Sequence, residues 1–490
     1  MLSRFRAVVS LSRGVVACGL LVGLALSAGA ALGQQPQPGR ETQPRRAQPP
    51  AAAPTRSMVV PPGATPQLGR AMVPALDETR FVPDEVLFEL APSADADAVL
   101  RRYGATLIAR QRFDLAGVTI IRARLDAGRD LRAVLLQMGE DASIAGAQPN
   151  FLFDLQQQSP SQTTSPQRGL SGAVGGASTA SGSTGQSTLP TLRLPDSTPV
   201  SRGLGATRRV LPPQYTVEKL HLPEAHKLAT GRGVRVAVID SGVDMEHAEL
   251  KGSVAGYLDA VDGLATPHAH GTSMATAIAA HGELQGMAPA VRLLVGRAFG
   301  GTQATANGKS FQILTAFEWV AQQRAKIVNL SFAGPRDRLF AKALAGARQR
   351  GLIVVAAAGN GGPKAAPLYP GADPNVIAVT ATDAEDKAFA EANRGTYVAV
   401  AAPGVDVLTA EPEGRYVFSS GTSIAAAHVS GLIALLVEKQ PELDLDGARK
   451  VLAESAVDLG SKGRDPVFGA GRIDAQSALA RVLPVATARP

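Results

Sequence analysis

Val234-Arg235-Val236-Ala237-Val238-Ile239-Asp240-Ser241-Gly242 carries a short, mostly β-branched apolar run that ends on an acid, a serine and a glycine. No polar residue interrupts Val236–Ile239, which is the pattern of a strand covered on both faces rather than one. Val291–Val295, Ile327–Leu330, Ile353–Ala358 and Val376–Thr380 have the same character. Stretches with helical spacing, including Phe311–Arg324 and Arg338–Arg350, fall between them. Apolar strands alternating with helices predict an α/β fold over 212–484, a parallel sheet with helices on both faces. Sites in such sheets gather beyond the carboxyl ends of the strands, and Asp240 falls at one of those ends.

Working outward from this region, the first 40 residues contain no acid. Arg4, Arg6 and Arg13 precede an uncharged, mostly apolar run from Val15 to Gly33, with small residues at Ala28-Gly29-Ala30-Ala31. This is the composition of a secretory signal peptide over 1–33, so the product is expected in a periplasm or outside the cell. Retention of the run as a membrane anchor is the alternative; its length nearly reaches the ~20 residues that span a bilayer. Cys18, the only cysteine, lies inside it. Its removal leaves a chain without disulfides and without stable membrane association.

Residues 34–80, rich in Pro, Gln, Ala and Arg, read as a disordered linker. The pattern changes over 81–155. Asp84–Leu90 places Val86, Phe88 and Leu90 on one face of a strand, and Ser93–Tyr103 reads as a helix with Ser93 as N-cap and Gly104 as its stop. Thr106–Arg112, Val118–Leu125, Leu131–Glu140 and Gln148–Leu155 complete a small α+β unit in β-α-β-β-α-β, ferredoxin-like order. Residues 156–211 form a Ser/Gly/Pro-rich stretch too polar to pack, a flexible tether. The formal charge of +7 is scattered, without dense basic runs or interleaved aromatics, so nucleic acid is not an expected partner.

Three segments carry chemistry together. Asp240 ends the first strand; His268-Ala269-His270-Gly271-Thr272-Ser273 precedes an Ala-rich helix; Ser420-Gly421-Thr422-Ser423-Ile424-Ala425 is a small-residue turn opening an apolar helix. Acyl transfer needs these residue types. A serine hydroxyl becomes nucleophilic when an imidazole takes its proton, and a buried carboxylate fixes that imidazole's tautomer. A serine at a helix start also lies at the positive end of the helix dipole. Each segment alone is common: an Asp after a strand usually caps or turns, and Gly-Thr-Ser before a helix usually caps. From the residues alone, both His268 and His270 are candidates for the base. His221, His226, His247 and His281 show no ligand spacing with carboxylates, so no zinc site is expected.

The segments resemble the subtilisin-like serine peptidase family, the subtilases, whose signatures read D-[ST]-G, H-G-T and G-T-S-x-A in that chain order. Gly286-Met287-Ala288-Pro289, Asn329-Leu330-Ser331, Ala357-Ala358-Gly359-Asn360-Gly361, Ala402-Pro403-Gly404 and Gly469-Ala470-Gly471-Arg472-Ile473-Asp474 resemble further family landmarks. The resemblance implies a serine endopeptidase acting on proteins or peptides. Asp240 would orient the imidazole, His270 would be general base and then acid, Ser423 the nucleophile, and Asn360 the side-chain oxyanion donor. Ser331, Phe332, Ala333 and Gly334 would form the strand that pairs with substrate, with small to medium apolar residues preferred before the scissile bond. Residues 81–155 would be an inhibitory propeptide, the chain's own partner, released by self-cleavage within 154–212. Relatives often bind a tight calcium ion; Glu249 sits near the position of that site's carboxylate, but the loop between Ala280 and Gly286 is shorter than theirs, so calcium is doubtful at that site, and the resemblance implies no cofactor beyond this one candidate ion. Three rival readings are an inactive homologue, a sedolisin-like peptidase and an esterase. The sedolisin class has Glu in place of His270 and Asp in place of Asn360, and an esterase would need a G-x-S-x-G elbow, which Ser423 lacks.

Overall fold

The computed structural model describes residues 67–68, 70–155, 211–261, 266–302 and 306–483. The expected signal peptide, most of the expected linker and all of the expected tether except Leu211 lie outside the described residues.

The N-terminal unit runs β1 (Gln67–Leu68), β2 (Ala71–Met72), β3 (Phe81–Leu90), α1 (Ala96–Tyr103), β4 (Ala105–Phe113), β5 (Val118–Leu125), α2 (Leu131–Glu140) and β6 (Ile144–Leu155). Its four long strands lie in the order β6-β3-β5-β4, each pair antiparallel. The expected ferredoxin-like element order is therefore the one observed. Helix α1 begins at Asp95, whose carboxylate accepts from the amides of Asp97 and Ala98, and it stops at Gly104 in the left-handed region (φ 54°). The cap is thus Asp95 rather than Ser93. Both residue types cap well, and only backbone position separates them. Residues 70–80, expected within the linker, are ordered: β2 pairs with β6, and Ala71, Met72 and Val73 are buried. So short an apolar run shows no periodicity, and it is ordered through the neighbouring strand.

The second unit begins with α3 (Tyr215–Lys219), α4 (Leu222–Leu228), β7 (Arg235–Asp240), β8 (Val254–Asp259), α5 (Ala269–Ala279), β9 (Arg292–Arg297), β10 (Phe299–Gly300) and β11 (Asn307–Lys309). It continues through α6 (Ser310–Gln322), β12 (Ile327–Leu330), β13 (Phe332–Ala333), α7 (Arg338–Gln349), β14 (Ile353–Ala357), β15 (Ile377–Thr382) and β16 (Val398–Pro403). It ends with β17 (Val407–Glu411), β18 (Arg415–Ser419), α8 (Thr422–Lys439), α9 (Leu445–Ser455) and α10 (Ala475–Val482). Seven of these strands form an all-parallel sheet in the order β16-β15-β14-β12-β7-β9-β8.

Alternation along each strand sends side chains to opposite faces. Val236, Val238, Leu293 and Val295 pack with residues of α5 and α8 in one apolar cluster. Ala237, Ile239, Leu294, Val328 and Leu330 pack with residues of α6 and α7 in another. That second cluster is continuous with the core of the N-terminal unit, reaching Ile120, Leu135 and Phe151. The edge strands β8 and β16 were not expected. Val254–Asp259 is only half-buried and interrupted by Gly256, while Val-Ala-Val-Ala-Ala-Pro over Val398–Pro403 is as good a helix former as a strand former through its alanines.

Candidate active site

Asp240 is the last residue of β7 and is wholly buried; His270 is the second residue of α5; Ser423 is the second residue of α8. Strand β7 delivers the acid because its apolar run ends there, at the carboxyl edge of the sheet. Helix α5 can start beside it because residue 271 is glycine: a Cβ at Gly271 would run into the backbone oxygen of Gly242. Helix α8 starts at Gly421, whose φ of 151° suits glycine and whose amide donates to the Gly404 carbonyl at 2.7 Å.

His270 Nδ1 lies 2.8 Å from Asp240 Oδ1 and 3.0 Å from Oδ2. Oδ1 also accepts from the Ser241 amide at 2.7 Å and the Ser241 hydroxyl at 3.0 Å. A carboxylate accepting on this side makes Nδ1 the protonated nitrogen of a neutral imidazole, which leaves Nε2 as the basic one. That Nε2 is buried and has no hydrogen-bond partner among the described residues. His268 does a different job. Its Nδ1 accepts from the His270 amide at 3.3 Å, capping α5, and burial holds its imidazole below the ordinary histidine range. The choice left open by the residues falls geometrically to His270, the ring in contact with the acid.

The Ser423 hydroxyl donates to the Ser331 carbonyl at 3.2 Å. Ser331 in turn donates through its own hydroxyl to the Ser423 carbonyl (3.1 Å) and accepts from Asn329 Nδ2 (2.8 Å), while Ser430 donates to Asn329 Oδ1 (2.9 Å). This buried chain ties the end of β12 to the first three turns of α8. In the sequence Asn329 is marked only by the landmark Asn329-Leu330-Ser331, and Ser430, seven residues beyond Ser423, carries no signal of its own.

Asn360 Oδ1 accepts from the Thr422 amide (3.1 Å) and hydroxyl (2.8 Å). An amide N–H can only donate, so these bonds fix which end of the carboxamide is oxygen and direct its NH2 end away from Thr422. Phe332 and Ala333 form β13, and Gly334 exchanges backbone hydrogen bonds with Tyr369. Strand β6 runs antiparallel between β13 and β11, with Leu155 opposite Phe332, Asp154 opposite Ala333 and Asn307, and Phe153 opposite Gly308. The Phe153 ring is fully buried, edge-on to Phe332 (5.8 Å between centroids) and Phe340 (6.2 Å). A Cβ at Gly334 would strike that ring.

His428, five residues beyond Ser423, packs inside the fold. Its Nδ1 donates to the Pro403 carbonyl at 2.9 Å, and burial lowers its pKa to about 4.

A parallel sheet of this order, with an acid, an imidazole and a serine at its carboxyl edge, defines the subtilisin-like class, and the chain belongs to the subtilase family, whose model matches residues 231–471. It is a subtilisin-like serine endopeptidase. It is 37% identical over 239 residues to thermitase of Thermoactinomyces vulgaris, covering 46% of this chain and 82% of that protein. It is 32% identical over 276 residues to subtilisin of Bacillus pumilus, covering 54% of this chain and 98% of that one. The crystal structure of fervidolysin from Fervidobacterium pennivorans, a keratinolytic enzyme related to subtilisin, shares the fold with a TM-score of 0.65 at 22% identity, over 86% of this chain and 64% of that chain.

Proposed function

We propose that this chain is an exported endopeptidase made as a self-processing zymogen, with Asp240, His270 and Ser423 as its catalytic triad. The observation that carries the proposal is the two-point contact of Asp240 with His270 Nδ1, which leaves a buried, basic Nε2 without a hydrogen-bond partner among the described residues. The Ser423 hydroxyl leaves the Ser331 carbonyl, turns to Nε2 and attacks the scissile carbonyl as its proton passes to His270. Negative charge then develops on the carbonyl oxygen, where the Ser423 amide at the head of α8 and the NH2 end of Asn360 stabilise it. His270 returns the proton to the leaving amine, giving an acyl-enzyme on Ser423. Water, deprotonated by the same nitrogen, releases the acid.

Protein or peptide substrates bind by adding a strand between β11 and β13, through backbone pairing that tolerates many sequences. The placement of β6 supports this reading, because it occupies that position with the chain's own residues. It also supports the assignment of 81–155 as an inhibitory propeptide. Each net backbone hydrogen bond contributes about 1 kcal/mol, while burying the Phe153 ring contributes about 2–3 kcal/mol, so the side chain anchors the strand. The register supports self-cleavage just beyond Leu155: Leu155 faces Phe332, and the preceding residue, Ser331, holds the Ser423 hydroxyl. Export is supported by the basic-then-apolar composition of residues 1–33.

The test compares the wild-type chain with Ser423→Ala by mass spectrometry, casein hydrolysis and labelling with a serine-directed fluorophosphonate. Wild type shortens itself, digests casein and takes the label, while Ser423→Ala does none of these. Casein hydrolysis that survives Ser423→Ala would end the assignment.

A further inference from the structure

Glu249 lies in the turn between β7 and β8, and its side chain is completely buried. Its carboxylate is surrounded by hydrogen-bond donors. The amides of Gly282 (2.9 Å), Glu283 (2.9 Å) and Leu284 (3.1 Å to each oxygen) all point at it, and the Tyr416 hydroxyl of β18 adds a fourth donor at 2.8 Å. The Glu249 carbonyl also accepts from the His281 amide at 3.2 Å. The turn fits this closely only because residue 282 is glycine; a Cβ there would lie 2.9 Å from Glu249 Oε2.

Calcium requires the opposite arrangement: six to eight oxygens converging at about 2.3–2.6 Å. Here the groups facing the carboxylate are N–H and O–H hydrogens, which repel a cation. Ala280, Leu284, Leu408 and Ala410 pack together beside the turn as a small apolar cluster. Among the described residues, no group of three or more His, Cys, Asp or Glu side chains is placed to hold an ion. The residue that the family resemblance would give to a calcium ion therefore does not fit one.

We infer that Glu249 and the amides of residues 282–284 form a metal-free clamp that takes over the fastening role of a bound cation. The buried negative charge is balanced by backbone dipoles, as in an anion-binding nest. The clamp joins three pieces of chain: the turn after β7, the turn that ends α5, and β18. It fastens the far end of the helix that presents His270, and it does so without drawing on solution calcium.

The experiment uses the full chain carrying Ser423→Ala, which removes self-digestion, and reads thermal unfolding in excess EDTA and in millimolar calcium. A calcium site with micromolar affinity would raise the midpoint by roughly 10 °C in calcium. The clamp predicts that calcium adds nothing through Glu249, so any difference between the two buffers is the same with and without Glu249→Gln. Glu249→Gln places an NH2 group against three amides and lowers the midpoint by roughly 5 °C or more in both buffers. Tyr416→Phe removes one donor, keeps the ring, and lowers it by a smaller amount, again equally in both; it serves if Glu249→Gln does not fold. A calcium-dependent rise that persists in both variants places calcium elsewhere and leaves the clamp standing. A rise in the unaltered background that disappears with Glu249→Gln, or with Tyr416→Phe if that variant must stand in, overturns the inference.

Discussion

Asn360 Oδ1 takes both the amide and the hydroxyl hydrogen of Thr422, the residue immediately before the serine nucleophile we propose. The Thr422 hydroxyl also accepts from the Gly359 amide at 3.2 Å, so the two loops are laced together at the point where negative charge would develop. Asn360→Ala should lower kcat by about 10²–10³, the size known for losing the equivalent donor in subtilisin, with little change in KM. Thr422→Val keeps the amide bond and loses the hydroxyl, and should lower kcat about tenfold. Steady-state kinetics of both variants and their double mutant check this. If Thr422 acts by aiming Asn360, the two losses are not additive.

Ser331→Ala removes the acceptor of Asn329 Nδ2 and the donor to the Ser423 carbonyl in one step. A buried amide left without a partner costs about 1–3 kcal/mol. Urea unfolding of Ser423→Ala with and without this change should show that loss. An unchanged midpoint would mean that the chain from β12 to α8 is not under load.

Gly334→Ala puts a methyl group where the Phe153 ring sits. Substrates offering an aromatic side chain at that register should lose roughly tenfold in kcat/KM relative to substrates offering alanine, since the lost burial is worth about 1–2 kcal/mol. Paired peptides that differ only at this position, assayed on the processed enzyme, measure the ratio. An unaltered ratio would show that substrates do not follow the path of β6.

His428 makes stability depend on pH in the acid range. Its pKa is about 4 in the folded chain and about 6.5 when exposed, so the unfolded chain takes up a proton first as pH falls. The stabilisation is fully present above about 6.5 and is lost progressively between 6.5 and 4, amounting to roughly 3 kcal/mol. Thermal unfolding of Ser423→Ala across that range should show a falling midpoint. His428→Asn, which can still donate to the Pro403 carbonyl, should flatten the fall.

The strands β7, β9, β12, β14 and β15 were legible because a buried parallel strand is apolar at every position, a pattern that needs no partner to be recognised. Asp240, His270 and Ser423 were legible for a related reason: glycines and small residues mark the turns at Gly242 and Gly421 and the start of α5 at Gly271, where backbones approach closely. The edge strands β8 and β16 were not, since their residues owe their conformation to neighbours distant in sequence. The Glu249 clamp was also hidden. An acid followed 33 residues later by Gly-Glu-Leu has no spacing signature, and its donors are backbone amides, which every residue but proline carries. The cap of α1 shows the finer limit, because Ser93 and Asp95 are equally suited and only the path of the chain selects one.

Strand β6 is held on both sides, and its Phe153 ring is held by the aromatic side chains around it. Breaking one peptide bond beyond Leu155 cuts none of those attachments. If the chain cleaves itself as proposed, scission and activation are separate events in time, and the second is governed by dissociation or by digestion of the severed piece. A population of freshly cut molecules should stay silent until a few members clear their grooves and begin destroying the plugs of the others. Activity would then rise as an accelerating curve whose delay shortens when a trace of already active enzyme is added, and a linear rise from the moment of cutting would contradict this.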